Sequence, residues 1–139
     1  MENLQREGQI SNHEHSFRAA EAIFGDVDLS EVDLSGADLR GADFTGTDLA
    51  YSNLSGRNLR GSNLEKANLS SANLSGANLR EAGLVGRNLL DARLDNLISI
   101  EDADFSGAQN ISEHGKEYLL SISTGVHPVT GKNTTKSLE

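Results

Sequence analysis

The chain has 139 residues, a formal net charge of −9 at pH 7 and no cysteine. This length is typical of one domain, and the lack of cysteine excludes disulfides and thiolate metal sites. The negative charge argues against direct nucleic-acid binding, which requires a basic surface. The first residues are too polar for a secretory signal and no apolar run is long enough to span a bilayer, so we expect a cytoplasmic protein without membrane contact.

The N-terminal region precedes any regular pattern. We predict that residues 1–13 are disordered, because they are polar and have no apolar periodicity. Phe17, Ala20 and Phe24 then follow one another at helix-like spacing. We therefore predict a short helix over residues 14–23 that caps the N-terminal end of the domain.

From residue 24 to residue 94, every fifth residue is Leu or Phe. A helix would point these side chains in all directions, and a straight strand would alternate them between two faces. The chain must therefore turn within each repeat. The pattern shifts by one residue after Leu94 and then resumes. We predict that the inward series forms the structural core: Phe24, Leu29, Leu34, Leu39, Phe44, Leu49, Leu54, Leu59, Leu64, Leu69, Leu74, Leu79, Leu84, Leu89, Leu94, Ile100 and Phe105.

The other positions of each repeat fit a narrow coil. We call the Leu or Phe position the centre of the repeat. The residue two before the centre is mostly small or β-branched, and the residue directly before the centre is mostly Asp or Asn. Gly often lies two residues after the centre. Gly and Asx at fixed offsets favour turns. Because five residues cannot satisfy their own backbone hydrogen bonds, each repeat must pair with neighbouring coils. This predicts an all-β solenoid over residues 24–111.

Segments such as residues 37–41 (ADLRG) and 72–76 (ANLSG) resemble the pentapeptide-repeat family, whose motif is A(D/N)LXX. The resemblance covers about residues 22–108. It implies a right-handed β-helix of square cross-section with four repeats per coil. Residues 20 apart would then lie above one another at about 4.8 Å, in about four coils. The family is abundant in cyanobacteria, so the resemblance also suggests a bacterial, cyanobacteria-like protein.

The stacking implied by four repeats per coil has a consequence for the phase shift. If an extra residue near Leu97 bulges outward, Phe105 lies above Leu84, in the column of Phe24 and Phe44. All Phe centres would then share one face.

The same stacking suggests why Asp changes to Asn before the later centres. Continued Asp would superimpose carboxylates, for example on Asp33 if residue 53 were acidic, whereas Asn side chains can stack as amides. Our hypothesis is that the change relieves charge repulsion.

The C-terminal region leaves the repeat. Ser112 is a suitable N-cap for a second helix over residues 112–124, with Tyr118 and Leu119 directed toward the open coil. Residues 125–139 contain Gly and Pro and are predicted to be a flexible tail. We expect a monomer or an end-to-end dimer.

Five arginines are the candidate site residues. Arg40, Arg60 and Arg80 each follow a centre and lie 20 apart, so they should form a vertical row. The row is either a binding surface for an anion or acidic partner, or a set of solvated side chains whose repulsion is reduced by Glu81. Arg57 and Arg87 occupy the small inward position, where an unpaired charge is costly. Either the backbone turns them outward or the interior is half open there.

Catalysis and cofactors are not expected. His13, Glu14 and His15 could hold a metal ion only with further ligands from elsewhere, so we predict no metal and no cofactor. The sequence has no cysteine nucleophile, no Gly-x-Ser-x-Gly and no phosphate loop. A filled, narrow solenoid also offers no cleft. We therefore predict that the protein is not an enzyme.

The predicted function is a structural and interaction scaffold that presents a rigid polar surface to an unknown protein partner. The resemblance suggests one alternative, because the family includes quinolone-resistance proteins that imitate duplex DNA and act on DNA gyrase. A rod of about 20 Å would carry about 12 negative charges if it matched B-DNA. The chain carries −9 in total, and residues 51–94 carry net +3, so the DNA-mimic alternative fits less well.

Overall fold

The computed structural model describes residues 17–125, 131 and 133–139. Strand β1 (Phe17–Arg18) pairs in parallel with strand β2 (Ala37–Asp38). From there to residue 109 the chain alternates single bridged residues with turns. Helix α1 (Glu113–Ile122) and helix α2 (Thr134–Ser137) follow.

The bridges define the course of the backbone. Each extended residue pairs in parallel with the residue 20 positions later, from Ile23↔Asp43 to Asn73↔Arg93. The backbone N–H of Phe24, for example, donates to the carbonyl of Asp43 at 2.7 Å. The chain therefore runs in laps of four pentads, and each lap satisfies the hydrogen bonds of the next.

The turn between pentads is made by local side-chain chemistry. The carboxylate of Asp43 accepts from the backbone N–H of Thr45 at 2.9 Å and from its hydroxyl at 2.6 Å. The residue after such a pair adopts a positive φ, for example 70° at Gly46 and 59° at Tyr51. Asx side chains and glycine are suited to this geometry. This explains why both recur at fixed offsets in the sequence.

The core occupies the axis of the solenoid. Every residue of the inward series from Phe24 to Phe105 is buried, and small residues such as Ala42 and Ala72 fill the second inward position. The rings of Phe24 and Phe44 stack with centroids 5.1 Å apart. The interior is therefore a filled column of aliphatic and aromatic side chains.

The phase shift is a β-bulge at Ile98. The N–H of Ile98 donates to the carbonyl of Ala77, whereas the carbonyl of Ser99 accepts from Leu79. Two residues therefore oppose Asn78 across the ladder, which is the definition of a bulge. Ile98 is 71% exposed, while Leu97 stays buried in the inward position.

After the bulge, the bridges join residues 21 apart. Gly83 pairs with Asp104, and this register places Phe105 above Leu84, in the column of Phe24 and Phe44.

The predicted N-terminal helix over residues 14–23 is wrong in its described part, residues 17–23. Phe17 instead pairs with Ala37 in the parallel ladder, so the solenoid starts earlier than residue 24. Pairing with the next lap satisfies backbone groups that a short isolated helix would leave open.

At the C-terminal end, α1 begins after Ser112, whose hydroxyl accepts from the N–H of Gly115 at 3.0 Å. Leu119 of α1 is buried against the core cluster. The chain then returns to the ladder, because the N–H of Asp102 donates to the carbonyl of Thr124 at 2.9 Å.

The prediction of a flexible tail over residues 125–139 is wrong in its described part, residues 125, 131 and 133–139. The hydroxyl of Ser137 accepts from the N–H of Phe105 at 2.9 Å, and Leu138 is buried in the core cluster. Residues 133–139 therefore pack on the last lap of the solenoid and bury apolar surface.

Candidate protein-binding surface

The stacked laps bring Arg40, Arg60 and Arg80 into one vertical row at a corner of the solenoid. Each lies two residues after a bridged Asp or Asn, namely Asp38, Asn58 and Asn78, and these bridged residues pair one above another. All three side chains are at least 39% exposed. The sequence therefore placed these arginines together correctly.

The row is not a purely basic surface. Arg40 binds Asp38 through two hydrogen bonds of 2.9 and 2.6 Å, which raises the pKa of the Arg40 guanidinium. Glu81 lies 3.1 Å from Arg60 and 3.6 Å from Arg80. The row is therefore a ladder of alternating charges, in which repulsion between guanidiniums is offset by carboxylates.

Arg80 connects this ladder to the next lap. Its guanidinium lies 3.6 Å from Glu101 as well as from Glu81. The connected charges therefore run from Arg60 to Glu101, whereas Arg40 pairs with Asp38 of its own repeat.

A shallow hollow lies beside the row. It has a volume of about 410 Å³ and is floored by Gly41 and Gly61, with Arg40 and Arg60 along one side. Both glycines have positive φ, 66° and 69°. A Cβ added at Gly61 would meet open space, whereas one added at Gly41 would lie 3.3 Å from Cγ of Glu21. The hollow is also lined by Glu21 and Glu81, so it presents two guanidiniums and two carboxylates.

The two inward arginines differ from each other. Arg87 is only 2% exposed, and its guanidinium donates to the carbonyls of Val85 at 2.7 Å and Ala67 at 3.0 Å. Burial lowers the pKa of Arg87, and the charge of Glu65 opposes this shift. Arg57 is half-buried and donates to the carbonyl of Ser55 at 3.0 Å.

Neither alternative predicted for these arginines applies to Arg87. Its charge is buried and is held by backbone carbonyls, which compensate part of the desolvation cost. Arg87 therefore has a structural role, because it connects two successive laps through their backbone carbonyls.

The acidic residues of the first laps form an outer layer. Hydrogen bonds from Ser30, Ser35 and Thr45 lower the pKa of the carboxylates two positions before them. The amide of Asn53 donates to Asp33 at 3.3 Å from the lap above. These contacts favour the ionised form of the three carboxylates.

The metal candidate His13, Glu14 and His15 lies outside the described residues, as does the predicted disordered segment 1–13. Within the described ranges, no cluster of three or more His, Cys, Asp or Glu side chains is arranged to hold a metal ion. Over the same residues, no helix is long and apolar enough to cross a membrane.

A second surface was not predicted from the sequence. Arg93 and Asp95 lie 3.5 Å apart on the last lap, beside a groove of about 680 Å³ that α1 borders through His114, Gly115 and Tyr118. One signal was present in the sequence. Arg93 is a basic residue at the position before the centre, where the other repeats mostly have Asp or Asn.

This architecture defines the class of the protein as a β-solenoid of stacked laps with a filled interior. The family model for pentapeptide repeats matches residues 22–61, 47–84 and 72–109. The chain therefore belongs to the pentapeptide-repeat family, as the motif predicted. A comparison with curated proteins finds no significant match.

Solved structures of pentapeptide-repeat proteins are similar to the chain. A protein from the thylakoid lumen of Arabidopsis thaliana is 28% identical with a TM-score of 0.60, over 87% of this chain and 86% of its own. HetL, involved in heterocyst differentiation regulation in the cyanobacterium Nostoc sp. strain PCC 7120, is 36% identical with a TM-score of 0.61. That match covers 67% of this chain and 41% of HetL.

The fluoroquinolone resistance protein QnrB1 is 17% identical with a TM-score of 0.51, over 66% of this chain and 60% of its own. At this identity the likeness shows the fold alone.

Proposed function

We propose that the protein is a non-enzymatic interaction scaffold that presents the arginine ladder to a protein partner. The observation that carries the proposal is the contrast between the two sides of the backbone. The inward positions are filled by a buried apolar column, whereas the corner with Arg40, Arg60 and Arg80 is exposed and highly charged. A rigid solenoid is suited to holding such groups at fixed spacing.

The fold we infer for this scaffold is the right-handed square β-helix of the family. The 20-residue laps support four sides per coil. The partner we expect has a surface of mixed charge, because the ladder itself alternates Arg with Glu81 and Glu101. Complementary charges would give the interaction specificity and a salt-dependent association rate.

The ladder does not favour the DNA-mimic alternative. A DNA mimic requires a continuous negative surface, but the arginine row lies along one corner of the solenoid over successive laps. A supercoiling assay with DNA gyrase and purified protein tests this alternative directly. Inhibition or protection of the enzyme at micromolar protein would support it against the scaffold proposal.

The scaffold proposal is tested by affinity capture from the native cell lysate, followed by mass spectrometry. Wild-type protein is compared with a variant carrying Arg40→Glu, Arg60→Glu and Arg80→Glu, and with the milder set of Arg→Gln changes at the same positions. Melting curves verify that each variant is folded. We expect the partner captured by wild type to be lost from both sets.

A matched control has the same change in net charge away from the row: Lys66→Glu, Lys116→Glu and Lys136→Glu. This variant should still capture the partner. Equal capture by wild type and both arginine variants would show that the row is solvated surface and would contradict the proposal.

A further inference from the structure

The last full lap has one side without a covering coil. On three sides the next lap continues the ladder, through Ser99, Asp104 and Gln109. On the fourth side the chain leaves after Asn110 and forms α1. The segment around Arg93 is bridged to the lap below it, and within residues 17–125 it has no bridge to a lap above.

The open segment presents ordered backbone groups. In the lap below, the N–H of Leu74 donates to the carbonyl of Arg93 at 2.9 Å, and the carbonyl of Ala72 accepts from the N–H of Arg93 at 2.9 Å. One lap later, the equivalent groups are the N–H of Leu94 and the carbonyl of Ala92. Neither has a backbone partner in the described part of the chain. An edge of this kind is a template for an added strand.

The groove beside this edge has the size and chemistry for a short extended segment. Its volume is about 680 Å³, within the range of about 300–1,000 Å³ typical of ligand sites. Leu90, Leu94 and Ile111 supply apolar surface, and α1 forms the opposite wall. The hydroxyl of Tyr118 accepts from the N–H of Leu97 at 3.0 Å, which holds α1 beside the end of the edge.

The charges of Arg93 and Asp95 determine which peptide sequence can pair with this open edge. Arg93 takes the position that Asp33, Asn53 and Asn73 fill in the laps below, and Asp95 lies two residues after it. Their side chains are 63% and 50% exposed. Neighbours in such a column interact directly, as the amide of Asn53 does with Asp33 at 3.3 Å.

We propose that this edge binds an extended segment of a partner protein with the pattern small–acidic–Leu–basic, in parallel with residues 92–95. The acidic residue would lie on Arg93, the Leu on Leu94 and the basic residue on Asp95. The N–H and carbonyl of the acidic residue would pair with the carbonyl of Ala92 and the N–H of Leu94. This site rests on the proposed scaffold function and adds a second surface, separate from the arginine row.

The test uses two fluorescent peptides and the full-length protein, with anisotropy as the readout. The first peptide is Ser-Gly-Ala-Asp-Leu-Arg-Gly, which copies residues 35–41 of this chain. The second is Ser-Gly-Ala-Arg-Leu-Asp-Gly, with the two charges exchanged. Exposed ion pairs contribute modestly, so we expect wild type to prefer the first peptide by about fivefold.

The decisive variant is Arg93→Asp with Asp95→Arg, which should prefer the second peptide by a similar factor. Ala92→Phe, which fills the groove, should abolish binding of both peptides, and its melting curve verifies folding. Equal affinity of wild type for the two peptides, an unchanged preference in the exchanged variant, or no binding of either peptide to wild type would overturn this site. Lysate capture that depends on the arginine row would still support the scaffold proposal in those cases.

Discussion

The change from Asp to Asn along the outer columns makes a sharp prediction at Asn68. Its amide donates to the carboxylate of Asp48 at 3.3 Å, and its carbonyl oxygen accepts from the backbone and hydroxyl of Ser70 at 3.1 and 2.7 Å. Asn68→Asp would keep both acceptor contacts. It would replace the donation to Asp48 by a second carboxylate, while Asp28 lies below as a third.

The magnitude follows from the stacking distance. Two charges about 4.8 Å apart repel by about 1 kcal/mol in water and by up to about 3 kcal/mol at an effective dielectric constant of 20. The lost hydrogen bond adds about 1 kcal/mol. The free energy of unfolding should fall by about 2 kcal/mol, which lowers the melting temperature by about 7 °C for a domain of this size.

The assay is thermal unfolding by circular dichroism at about 10 mM and about 500 mM salt, because screening should recover part of the loss. Asn73→Asp is the matched control, since its column neighbours are Asn53 and Arg93, and it should unfold within a few degrees of wild type. Adding Asp48→Asn to Asn68→Asp should restore stability. Equal losses at positions 68 and 73 would refute the repulsion argument.

Three further predictions concern the departures from the regular repeat. Arg87→Ala should lower the free energy of unfolding, measured in urea, by about 2–3 kcal/mol, because it removes two hydrogen bonds from a charged group. Arg57→Ala should lower it by about half as much. Equal losses for the two variants would contradict the structural role of the buried Arg87. Hydrogen bonds from Thr45 lower the pKa of Asp43, so the stability from its ionised form is present above about pH 4 and lost as the pH falls through the lower pKa of the folded state. Asp43→Asn should therefore flatten the decline in urea midpoint between about pH 5 and 2, and an unchanged slope would argue against this assignment. Deleting Ile98 should preserve cooperative melting, because the deletion restores 20-residue laps. A deletion inside a regular pentad instead moves every later side chain to the wrong face. Loss of cooperative melting in the variant without Ile98 would contradict the bulge.

The core could be predicted from the sequence because its cause is local and repeated. Each pentad carries its own turn chemistry, as in the contact of Asp43 with Thr45, and its own inward side chain. An interval of five residues between apolar centres allows few other solutions. The assignment of residues as distant as Phe24 and Phe105 to one column also requires the four repeats per coil that the family resemblance implies.

Features that depend on long-range contacts could not be predicted. Leu97 and Ile98 are both apolar, so the local sequence does not show which of them bulges outward. In the structure Ile98 bulges, and the backbone N–H of Leu97 donates to the hydroxyl of Tyr118 of α1. The helical spacing of Phe17 and Ala20 was misleading because pairing with Ala37 outweighs local propensity. The burial of Leu138 likewise requires the tail to return to the end of the solenoid.

The candidate surfaces were predictable only where they repeat. Arg40, Arg60 and Arg80 share one position in the pentad, so the 20-residue lap brings them together, and Glu81, at a different position, pairs with two of them. Arg93 is basic at a position where most repeats have Asp or Asn. It lies at an open edge only because α1, and not a further lap, follows on that side. Since the inward positions are fixed by the fold, the partner specificity that we propose would come from such outward departures. They are the residues at which substitutions can separate binding from stability.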